Sequence, residues 1–72
     1  MRDRPVKLKI LREQATGTFT AFLDYPNGSG VEISAPSFRK LVNTLSSWNL
    51  DTSGLFEDQV PDGVGFLERA LR

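Results

Sequence analysis

Seventy-two residues with nine basic and nine acidic side chains, no cysteine and no histidine describe one small domain, residues 1–72, without net charge. That composition excludes disulfide staples and thiolate metal centres, fits zinc poorly, and argues against a protein held to nucleic acid by bulk charge. A chain this short buries only roughly 60% of its unfolded surface, so it supports a single core of modest stability.

Charge is uneven along the chain. Arg2, Arg4, Lys7, Lys9 and Arg12 crowd the start against Asp3, whereas Asp51, Glu57, Asp58, Asp62 and Glu68 dominate after residue 50. Such a split lets the two ends attract each other or presents a basic edge to an anionic partner. No apolar run of signal-peptide length opens the chain, and no stretch approaches the roughly twenty apolar residues of a membrane span. The expectation is a cytoplasmic protein that does not enter a membrane.

After Pro5, the apolar residues Val6, Leu8 and Ile10 alternate with Lys7 and Lys9, the period of a strand with one buried face. Ala15-Thr16-Gly17 supplies a turn. Thr18–Tyr25 is rich in β-branched and aromatic residues and places Phe19, Ala21, Leu23 and Tyr25 on one face. Tyr25-Pro26-Asn27-Gly28-Ser29-Gly30 is the strongest turn signal, because Asn27-Gly28 readily takes positive φ. A third strand follows from Gly30 to Ile33. Short loops join all three, which dictates an antiparallel meander, since parallel neighbours need a long crossover.

The stretch Ser34–Leu50 has the period of an amphipathic helix, with Phe38, Leu41, Val42, Leu45 and Trp48 on one face. Ser34 is the expected cap, and Pro36 fits the first turn, where a missing N–H costs little. Trp48 belongs to the core by this spacing. Leu55-Phe56 is an apolar pair in an acidic loop. A second, shorter helix is expected from Pro61-Asp62-Gly63 onward, with Asp62 as cap and Val64, Leu67 and Leu71 on one face, although Gly63 and Gly65 each weaken it by about 1 kcal/mol. The expected fold is therefore α+β: a three-stranded antiparallel meander followed by two helices packed on one sheet face.

Groups that shuttle protons or attack substrates are scarce. With no histidine or cysteine, and with the carboxylates Glu57, Asp58 and Asp62 in a polar loop, the expectation is a protein that is not an enzyme and needs no cofactor or metal. Asn27-Gly28-Ser29-Gly30 lacks the lysine and the strand-to-helix setting of a phosphate loop, so it reads as a hairpin.

Helices on one side leave the other sheet face open, and alternation assigns to it Lys7, Lys9, Leu11, Thr18, Thr20, Phe22, Asp24 and Glu32. Phe22 among lysines reads first as an ordinary solvated face, since isolated apolar surface residues are normal, next as a contact patch for a protein, and last as a platform on which single-stranded bases stack. Arg39 and Lys40 occupy the first turns of the helix, where the dipole disfavours cations. A bridge to Glu57 or Asp58 is their expected role, with contact to an acidic partner as the other.

Tyr25-Pro26-Asn27-Gly28-Ser29, Ser47-Trp48, and Gly63-Val64-Gly65 with Glu68 and Ala70 resemble the hairpin, first helix and second-helix start of small phage-encoded anti-CRISPR inhibitors of type I systems. The resemblance covers about a fifth of the chain, which has one strand fewer and a longer loop between helices. It implies a stoichiometric inhibitor whose sheet surface, with Tyr25 near its edge, occupies a host nucleoprotein complex. A second resemblance, of GVEISAPSFRKL to single-stranded DNA-binding cofactor domains, implies nucleic acid instead. Together these readings expect a non-catalytic module, monomer or homodimer, whose partner is a protein or nucleoprotein complex, with nucleic acid as the alternative. The candidate contact residues are Lys7, Lys9, Phe22, Tyr25, Arg39 and Lys40.

Overall fold

A computed structural model describes residues 4–61 and 64–71. Its elements in order are β1 (Lys7–Arg12), β2 (Phe19–Asp24), β3 (Gly30–Ala35), α1 (Phe38–Ser47) and β4 (Leu67–Ala70), with a single 3-10 turn at Glu57–Gln59. The four strands form one antiparallel sheet in the order β3-β2-β1-β4.

The meander follows from the turns. Gly17 (φ 72°) closes the first hairpin, where the Glu13 N–H donates to the Thr18 carbonyl at 2.9 Å. Gly28 (φ 89°) closes the second, and the Asn27 carboxamide oxygen accepts from the Ser29 N–H and hydroxyl at 3.0 and 2.7 Å. Those local bonds set the register, in which Leu8 faces Leu23, Ile10 faces Ala21, and Phe19 and Leu23 face Ala35 and Val31.

The helix begins at Phe38, the first residue of its apolar stripe, and later than the expected cap Ser34 indicates. Ser34 and Ala35 stay in β3 because Ala35 is buried opposite Phe19 and Ser34 pairs with Thr20, so Ser37 takes the capping role and accepts from the Lys40 N–H at 3.3 Å. Phe38, Leu41 and Leu45 are buried on β2 and β3, and the Phe38 and Phe19 rings meet edge to face at 5.6 Å. At the other end Asn49 adopts φ 62°, the Asn49 N–H donates to the Ser46 carbonyl and the Leu50 N–H to the Leu45 carbonyl. This pairing is a Schellman motif with asparagine in the left-handed position. It turns the chain away before Trp48 can reach the core. Trp48, expected inside, is 46% exposed.

The expected second helix is instead β4. Its burial alternates, with Leu67 and Arg69 turned inward and Glu68 and Ala70 outward, and it pairs with the edge of β1 that the meander leaves free. Gly65 has φ 123°, which no helix accommodates, and Val64 of the expected apolar face is fully exposed. Pairing backbone groups along β1 outweighs the weak propensity of a nine-residue helix carrying glycine. The expected cap Asp62, with Gly63, lies outside the described residues, as do Arg2 and Asp3 of the basic start. Between α1 and β4, Leu55 and Val60 are buried in the core, while Phe56 is 58% exposed. The chain is α+β as expected, with four strands and one helix among the described residues.

Candidate interaction surface

Side-chain alternation on each strand splits the sheet into two faces. One packs under α1 and residues 50–60. The other carries Lys7, Lys9 and Leu11 from β1, Thr20, Phe22 and Asp24 from β2, and Glu32 and Ser34 from β3, as register dictates. Thr18, expected on this face, lies just before β2. From β4 the open face gains Glu68 and Ala70, with Phe66 immediately before the strand.

Across the middle runs a row of cross-strand neighbours, Glu32, Phe22, Lys9 and Glu68. The Lys9 Nζ sits 5.2 Å from the centre of the Phe66 ring, so one lysine links two aromatic side chains. Phe66 is 47% exposed and Phe22 half-buried. The Lys7 Nζ lies 2.9 Å from the Glu68 Oε2 on the diagonal of the ladder. That hydrogen bond, with the opposite charge, holds the Lys7 ammonium above its usual range and the Glu68 carboxyl below it; Asp24 adds to the rise at Lys7. Thr20 and Ser34 share a hydroxyl hydrogen bond of 3.2 Å at the far end. The face therefore combines two lysines with three carboxylates, Asp24, Glu32 and Glu68.

Of the expected contact residues, the structure brings Lys7, Lys9 and Phe22 together. Tyr25 faces the packed side and lies half-buried against the core. Arg39 and Lys40 are exposed on α1, on the opposite side of the sheet, and neither forms the expected bridge to Glu57 or Asp58 among the described residues. Phe66 and Glu68 complete the patch and escape sequence reasoning, because their segment has the spacing of a helix. A period-two reading of Phe66-Leu67-Glu68-Arg69-Ala70-Leu71 is the signal that finds them.

Among the described residues no three metal-binding side chains cluster, and no helix is long and apolar enough to cross a membrane. Comparison with protein-family models, curated proteins and solved structures finds no match to the chain.

Proposed function

We propose that the protein is a non-catalytic binding module whose open sheet face engages a partner protein, alone or within a nucleoprotein complex. The single observation carrying this reading is the row Phe22–Lys9–Phe66 on an uncovered face, flanked by Glu32 and Glu68. Aromatic side chains flanked by charge are what protein contacts use for anchors and register. The partner that fits offers apolar recesses for Phe22 and Phe66 and basic groups opposite Asp24 and Glu32. Three carboxylates against two lysines repel a phosphate backbone, which ranks protein above single-stranded nucleic acid.

The more specific version, a stoichiometric inhibitor of a CRISPR surveillance complex, rests on the Tyr25–Ser29 hairpin and Ser47-Trp48. Of the residues matched to a second helix, Glu68 and Ala70 lie in β4 and lend it no support. The test is affinity capture from a bacterial lysate with the wild type and with Phe22→Ala and Lys9→Ala, circular dichroism confirming that each variant folds. Loss of the captured protein in both variants is expected, and retention in both overturns the sheet-face reading. Tight binding of labelled single-stranded oligonucleotides that weakens steeply with salt would move the assignment to nucleic acid.

A further inference from the structure

Arg69 breaks the pattern of its own strand. Register sets it opposite Leu8, on the packed face, where Leu67 and Leu71 supply the apolar side chains expected of that side. Its Nη1 is buried and donates to no hydrogen-bond acceptor, and no salt bridge holds the residue among the described residues, although its charge acts on Asp51, which lines the same cleft. A buried guanidinium nitrogen without a partner is rare enough to require a cause. Sequences that specify a fold violate their local rules chiefly where a function demands it.

The surroundings supply that cause. Arg69 lines a solvent-open cleft of about 380 Å³, shared with Arg4, Pro5, Asn49, Leu50 and Asp51. That volume falls at the small end of ligand sites, which run from roughly 300 to 1,000 Å³. The Schellman turn at Asn49 swings Asn49–Asp51 onto one wall. Gly54, at φ 80°, passes so close that a Cβ there would stand 3.0 Å from the Arg69 Nη2, so the loop is shaped around the guanidinium. The carboxylate in the cleft, Asp51, has one oxygen committed to its own turn, where the Ser53 N–H and hydroxyl donate to Oδ1 at 3.0 and 2.6 Å. Arg4 and Arg69 leave the cleft with an excess of positive charge over Asp51.

We infer that this cleft is an oxyanion site in which the Arg69 guanidinium grips a phosphate or carboxylate group, with Arg4 at the rim as the second cation. The fork of an arginine suits two oxygens of one anion, which a lysine cannot match. The cleft lies on the opposite side of the sheet from Phe22 and Lys9, so it is independent of the proposed contact face.

The test titrates the ¹⁵N-labelled full chain with inorganic phosphate, and separately with acetate, against chloride at matched ionic strength. Saturable amide shifts confined to residues 4, 49–51 and 69–71 are expected, with affinity falling roughly tenfold or more in Arg69→Lys and binding lost in Arg69→Met. Tighter binding of phosphate marks a phosphate-bearing ligand, and tighter binding of acetate a carboxylate. Shifts that fail to saturate, that centre on Lys7 and Lys9, or that persist unchanged in Arg69→Lys overturn the inference. The wild-type map and the lysine variant decide the matter even if Arg69→Met does not fold.

Discussion

The two halves of the packed sheet face are roofed by different kinds of structure. Over β2 and β3 lies α1, a ten-residue helix whose backbone groups bond one another and whose Phe38, Leu41 and Leu45 are buried. Toward β1 and β4 the cover is an irregular run that contributes Leu50, Leu55 and Val60 to the core. Its backbone is satisfied piecemeal, by the Asp51–Ser53 turn, by the Leu55 N–H donating to the Thr52 carbonyl, and by the 3-10 turn ending at Val60. A helix brings its hydrogen bonds with it, whereas a loop must find them locally. The loop-covered half also contains Arg69, whose buried Nη1 lacks an acceptor, so the polar site sits where packing is least regular.

Four measurements break or sharpen this contrast. Leu41→Ala, at a fully buried position under the helix, should cost about 2–5 kcal/mol by urea unfolding, enough to unfold much of so small a domain. Leu55→Ala should cost about 2 kcal/mol, because the loop can settle into the space; a loss as large as that of Leu41→Ala would show the two roofs to be equally rigid. Gly54→Ala places a side chain at φ 80° and against Arg69, and should cost about 1–2 kcal/mol in the same assay; no loss would mean the loop shifts freely over β4.

The smallest effect comes from the open face. Glu68 is held below its ordinary value of 4.5, so its contribution is present above that pH and fades as the pH falls through the lowered folded value. Lys7 is held above 10.5, so its contribution is present below that pH and is lost as the pH rises through the folded value. Both side chains are exposed at the surface, and the change should be slight. Melting temperatures of the wild type and Glu68→Gln should converge below pH 4.5; curves that run parallel there would show that the pair contributes nothing.

Periodicity makes the meander and the helix legible because each is specified locally. The Asn27-Gly28 turn and the alternation of Val6–Ile10 need no distant information, and they suffice to place Lys7, Lys9 and Phe22 on one face. What stays hidden depends on partners far along the chain. Val64, Leu67 and Leu71 satisfy helical spacing, while Leu67, Arg69 and Leu71 satisfy strand spacing, and only the free edge of β1 decides between them. Ser34 and Ser37 are chemically equal caps, and the burial of Ala35 against β2 selects the second. Trp48 continues the helical stripe in the sequence, but the asparagine after it ends the helix first. Phe66 and the cleft around Arg69 inherit the misreading of β4, and for that reason neither is visible before the fold.

The pairing of residues 7–10 with residues 67–70 also makes the closing of one edge of β1 depend on a distant segment. Short connections join β1, β2 and β3, whereas β4 lies far along the chain, and until β4 docks β1 is a sheet edge with unpaired backbone groups. An exposed edge invites pairing with another chain. Lys7 and Lys9 stand at alternate positions along that edge, the charged placement that discourages such pairing. The lysines that meet Glu68 and Phe66 in the finished sheet thus guard the nascent one, and replacing both by threonine would be felt first as aggregation during folding.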